Sequence, residues 1–145
     1  MRWAANLFLK GDLNLRVYIT APFQLRDHAI LLMDAYESKG IIVTARWLKR
    51  SDANSDASAR MDLGDVAAAQ TLVALNPPGW ENSGTGGRHV ELGYALGLGR
   101  GIMLLGRRTN IFHYFDHVVQ LDLDVPIDQQ ITAMDRAYAL RSWMY

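Results

Sequence analysis

Short unbroken apolar runs alternate along this chain with stretches in which apolar residues recur every three or four places. Arg16-Val17-Tyr18-Ile19-Thr20-Ala21-Pro22 reads as a buried strand that Pro22 ends. Leu25, Ala29, Leu32, Met33 and Tyr36 then share one helical face, and Gly40 stops it. Ile41 to Ala45 is a second strand. Ser51 to Ser58 is small and polar and reads as a loop, followed by a helix from Ser58 to Ala69 with Met61, Val66 and Ala67 turned inward. Thr71 to Leu75 is a third strand, which Asn76-Pro77-Pro78-Gly79 cannot continue. A third helix is expected from about Thr85 to Leu98, a fourth strand over Gly101 to Gly106, and a short fifth over Val118 to Leu121. Pro126 suits a first helical turn, and Ile127, Ile131, Met134 and Tyr138 form the face of a last helix. Residues 1–15 lie outside the alternation.

Strands alternating with helices build a parallel sheet covered on both faces. The pattern predicts a flavodoxin-like or Rossmann-like three-layer α/β/α sandwich, mainly parallel, with its five strands in the order 2-1-3-4-5. In such sheets ligands sit beyond the carboxyl ends of the strands, where the strand order reverses. That rule selects the loops after Tyr18–Pro22, after Leu75 and after Leu105.

Composition narrows the function classes. At 145 residues the chain fits a single domain, 1–145. Its 15 basic and 15 acidic side chains cancel, which argues against a nucleic-acid polymer as partner, because that affinity rests on neutralising phosphates. With no cysteine there is no disulfide, thiolate-bound zinc or thiol catalysis. No apolar run approaches a membrane span, and Met1 to Lys10 is too short and interrupted for a signal peptide, so a cytoplasmic location is expected. Seven of the 12 glycines (84, 86, 87, 93, 97, 99 and 101) are packed into one short stretch.

That stretch carries the candidate chemistry. After the third strand, Asn82-Ser83-Gly84-Thr85-Gly86-Gly87-Arg88-His89 forms a glycine loop that opens a helix. Glycines let backbone N–H groups approach a ligand, and a helix N-terminus favours an anion. Ser83 and Thr85 are candidates to cap the helix or to donate to a phosphate. The loop lacks the Gly-Lys-Ser/Thr ending of a Walker loop and the spacing of a dinucleotide fingerprint. Glu91 stands beyond it among Val90, Leu92, Ala95 and Leu96, a setting in which a desolvated carboxylate can act as nucleophile or base. Trp47 and Trp80 are candidate walls for a stacked base, and His113 and His117 lack the partners a metal requires. Gly93 and Gly97 lie one turn apart, open to an internal helix contact or to a dimer face.

The stretch from Ser83 to Ala95, and its Glu91-Leu92-Gly93-Tyr94-Ala95 segment above all, resembles the glycine loop and helix of nucleoside 2-deoxyribosyltransferase-like proteins, a family that includes nucleoside 5′-monophosphate N-glycosidases. The resemblance runs over residues 16 to 115 and takes in Tyr18 and Asp62. It implies retaining cleavage of the bond between a nucleobase and C1′, without metal or cofactor. Glu91 matches the nucleophile, Asp62 the acid that protonates the leaving base, and Tyr18 the residue that orients the nucleophile. Asn82, Ser83, Gly84, Thr85, Gly86, Gly87 and Arg88 would bind the sugar or its 5′ group, and Asn110 would reach a neighbouring subunit's site in a homodimer or higher oligomer. The chain departs from the pattern in having Asn82-Ser83 where an aspartate is common, which lowers repulsion toward a phosphate, and in Arg88-His89 inserted before Val90-Glu91. Two rival readings stand beside it: a silent nucleotide-binding module, and a glycohydrolase directed at NAD or ADP-ribose.

Overall fold

The computed structural model describes residues 15–51 and 54–141. Residues 1–14, most of the segment left outside the alternation, lie outside the described residues. Five parallel strands, β1 (Arg16–Thr20), β2 (Ile42–Val43), β3 (Thr71–Asn76), β4 (Gly101–Gly106) and β5 (Val118–Leu121), form one sheet in the order β2-β1-β3-β4-β5. Four helices connect or follow them: α1 (Arg26–Ser38), α2 (Asp56–Ala68), α3 (Gly87–Gly97) and α4 (Ile127–Leu140). The fold is the expected three-layer sandwich.

β3 and β4 bury every residue, as the central strands of a sheet covered on both faces must. One helix layer packs Ala29, Met33 and Tyr36 of α1 beside Ala133, Met134 and Ala137 of α4. The Tyr36 hydroxyl joins the two by donating to Gln130 Oε1 at 2.5 Å. α2 and α3 form the other layer, burying Val66 from one and Leu92, Ala95 and Leu96 from the other.

Four boundaries differ from the sequence reading. β2 keeps only two residues, because the chain turns at once into a 3-10 turn, Arg46–Lys49, anchored by Asp65 of α2. β3 runs one residue further, to Asn76. α2 starts at Asp56, since the Ser55 hydroxyl accepts from Ser58 N at 3.1 Å and caps it earlier. α3 starts at Gly87 behind Gly86, whose φ of +92° is left-handed and natural only to glycine.

Candidate active site

β1 ends at the switch point, and its alternation puts Tyr18 and Thr20 on one face. Glu91 is the fifth residue of α3, whose first turn lies beyond the glycine loop. The two elements meet through its carboxylate. Tyr18 Oη donates to Glu91 Oε2 at 2.5 Å and Thr20 Oγ1 donates to Glu91 Oε1 at 2.7 Å. Each oxygen thus holds one hydroxyl. Burial pushes the Glu91 carboxyl above the usual glutamate range, and the two hydroxyls pull it back. Burial also pushes the Tyr18 phenol well above its ordinary value, with the Glu91 charge adding to it, so Tyr18 stays a proton donor. Thr20 was not singled out by the sequence reading. Its signal was there, two places after Tyr18 on the same strand face.

Asp62, on α2, acts on the Glu91 charge by pushing its carboxyl up, and Arg50 opposes it. These two are themselves paired, Arg50 Nη1 to Asp62 Oδ1 at 2.9 Å, each about a quarter exposed. Asp65, one turn on, is buried and takes Arg46 on both oxygens, so it serves the fold.

The loop from Asn82 to Gly87 runs from β3 to α3, with Asn82, Gly84, Thr85 and Gly87 exposed and Ser83 half-buried. No side chain caps α3, so the expected Ser83 or Thr85 cap is absent. Glycine conformation does that work instead, and the first-turn N–H groups gain no hydroxyl partner. Arg88 is turned back into the loop. Its Nη1 donates to Asn76 Oδ1 at 3.0 Å, and Nη2 to the carbonyls of Trp80 at 2.9 Å and Glu81 at 2.8 Å. Asn76 in turn donates to the Arg107 carbonyl at 2.7 Å and Thr109 Oγ1 at 3.0 Å, tying the glycine loop to the loop after β4.

Val90, expected among the residues enclosing Glu91, is 63% exposed. Trp47 and Trp80 are half-buried against the core, and the Trp47 indole donates to the Ile19 carbonyl at 2.9 Å. Among the described residues, no group of three or more His, Cys, Asp or Glu gathers as a metal would need.

Asn110 does not join the Glu91 cleft of its own chain. It caps the 3-10 turn Ile111–Tyr114 by accepting from Phe112 N at 2.9 Å. It lines an open groove of about 470 Å³ with His89, Gly93, Gly97, Phe112 and Phe115. Gly93 follows Glu91 by two places, roughly 200° around the helix, so the groove flanks the far side of α3. A smaller recess, lined by Thr20, Asn76, Arg88, His89 and His113, opens at the carboxyl ends of β1 and β3.

Strand order and site together define a Rossmann-like sandwich with a half-buried, hydroxyl-held glutamate at the switch point. No model of a known protein family matches the sequence, and no curated protein matches it. Among solved structures the chain is similar to the Clostridium botulinum CMP N-glycosidase BcmB, at 19% identity and a TM-score of 0.58, over 83% of this chain and 98% of that one. At this identity the likeness shows a shared fold.

Proposed function

We propose that this protein cleaves the N-glycosidic bond of a nucleoside 5′-monophosphate or nucleoside through a covalent glycosyl-Glu91 intermediate. The observation that carries the reading is the Glu91 carboxylate held by Tyr18 and Thr20 at the switch point. Burial leaves the carboxylate poorly solvated and so reactive, while the hydroxyls favour its ionised form and aim it. One Glu91 oxygen attacks C1′ as the C1′–N bond breaks. The bonding pair leaves on the base nitrogen, and an acid protonates the base. The transition state carries oxocarbenium charge, which the adjacent carboxylate stabilises. Water then attacks C1′ of the ester, frees Glu91 as carboxylate and returns a proton to the acid.

Asp62 is the acid in this reading. In the unliganded site Asp62 accepts from Arg50, so in this reading the incoming base displaces Arg50, Asp62 takes up a proton from solvent, and that proton passes to the leaving base nitrogen. The substrate's 5′ group lies along Asn82, Ser83, Gly84, Thr85, Gly86 and Gly87, where uncapped N–H groups face the loop. Arg88 contributes by holding this loop in shape. The CMP specificity in the name of the similar structure makes cytidine monophosphate the first substrate to test. A second copy of the chain completes the assembly in the groove bearing Asn110, where, among the described residues, no other element comes within 4 Å of a Cβ added to Gly93 or Gly97.

The Arg50–Asp62 ion pair is also what a binding-only protein would keep, so that reading stands as the second. The test is incubation with nucleosides, their 5′-monophosphates and NAD, followed by chromatography of the free base. Release by the wild type that Glu91→Ala abolishes is the expected result. Tight binding with no release from any substrate supports the silent module, and release from NAD alone supports the glycohydrolase. A second free base added to the mixture yields a new nucleoside or nucleotide only if transfer occurs.

A further inference from the structure

The glycosidase reading needs a carboxylate with one oxygen turned to C1′. Rotation about the last torsion of a glutamate is broad and nearly two-fold, so a side chain gripped at one oxygen still swings its carboxylate plane. Tyr18 grips only Oε2. Thr20, two places along the strand, grips Oε1 at 2.7 Å and is 2% exposed. Donors on different oxygens from one strand face fix the plane as well as the position.

We infer that Thr20 is a positioning residue for Glu91, locking the rotation of the nucleophile and helping to keep it ionised in a buried site. The inference rests on Glu91 being the nucleophile, as proposed above. A threonine kept only for packing would be served as well by valine, which has the same shape without the hydroxyl and is already used at Val17 of the same strand. Three other groups act on the Glu91 charge. Tyr18 of β1 and Arg50 favour the ionised form, and Asp62 of α2 opposes it. All three stay in place when Thr20 is changed.

The experiment compares wild type, Thr20→Val and Thr20→Ser. Glu91 is followed by carbon-13 NMR of glutamate side-chain carboxyls, assigned by the signal missing in Glu91→Gln, and turnover is followed by base release. Loss of a hydrogen bond to a charged group moves the Glu91 midpoint upward by about one pH unit in Thr20→Val, with kcat down about ten- to a hundredfold and KM little changed. Thr20→Ser restores the hydroxyl and brings both back toward wild type. The acid limb of the kcat/KM profile moves with the NMR midpoint. An unchanged midpoint in folded Thr20→Val overturns the inference, and so does a Thr20→Ser that behaves like the valine variant. If Thr20→Val does not fold, Thr20→Ala takes its place under the same criteria. The titration needs no substrate. A wild type that releases no base therefore overturns the glycosidase reading on its own account, while the midpoint still decides whether Thr20 holds the carboxylate.

Discussion

A carboxylate in an apolar setting resists ionisation, and at Glu91 two hydroxyls work against that resistance without cancelling it. Two opposite pH effects follow. Base release falls as the pH drops through the raised Glu91 value, above the range in which an exposed glutamate would lose its charge. For the fold, a raised value means that the folded state binds this proton more tightly than the unfolded chain does. The stability from Glu91 is therefore full below the unfolded value and lost as the pH rises through the folded one. Glu91→Gln is neutral at every pH. It is expected to melt higher than wild type at pH 7, with the gap closing at acid pH in calorimetry, while kcat falls by about 10³-fold or more. Asp62→Asn is expected to slow release of bases that must be protonated by about 10²–10⁴-fold and to spare a substrate whose leaving group departs as a stable anion. Equal slowing of both substrates would take the acid role from Asp62. At this scale Glu91 stood out by its setting beyond the glycine loop, whereas Tyr18, which alone reads as a core aromatic, was joined to it only by the family resemblance; the structure brings the two into contact. The Asp65–Arg46 and Asp62–Arg50 pairs were not, because they depend on how α2 lies against the chain after β2.

Elements place these side chains through close backbone approach. Gly106 ends β4 at φ +118°, and a Cβ there would stand 2.1 Å from the Asn76 carbonyl oxygen. Gly106→Ala is expected to cost about 2–5 kcal/mol in urea unfolding, from backbone strain and the clash together. A cost under about 0.5 kcal/mol would show that the ends of β3 and β4 do not need this contact. Strand and helix identities were readable because buried apolar runs and helical spacing differ in period. The start of α3 was misread because a left-handed glycine, rather than the hydroxyl of Ser83 or Thr85, closes it. β2 was overextended because Ile41 to Ala45 is apolar enough for a strand, yet only two of its residues pair with β1. Arg88, read as a phosphate contact, is occupied by three loop and strand acceptors that no spacing announces.

In the whole molecule, α3 separates two surfaces. Glu91 faces Tyr18 and Thr20 at the end of β1, while Gly93, Gly97 and Asn110 border the open groove beside exposed Phe112 and Phe115. The clustered glycines serve different ends: a Cβ on Gly101 would meet the α4 backbone at Ala137 and Tyr138, whereas Gly93 and Gly97 have no other element among the described residues within 4 Å of an added Cβ. Gly93→Arg replaces a helix-interior glycine and so favours the helix itself by up to about 1 kcal/mol. It is expected to convert a dimer in light scattering to a folded monomer with reduced turnover. A wild type that is monomeric at assay concentrations would contradict the role given to this groove. The strand order, and so the switch point, followed from alternation and the order such units usually take, whereas the opposite placement of Glu91 and Gly93 on α3 required the helix to be seen against its neighbours.

The central claim is a sugar bonded to Glu91. Wild-type protein mixed with its best nucleotide substrate, quenched in acid within milliseconds and digested, is expected to show the peptide bearing Glu91 heavier by one sugar phosphate residue, with the added mass on Glu91 by fragmentation. For a nucleoside substrate the gain is one sugar residue. The same peptide from Glu91→Gln stays unmodified. Base released at full rate with that peptide unmodified at every quench time, and the sugar product inverted at C1′, would contradict the account.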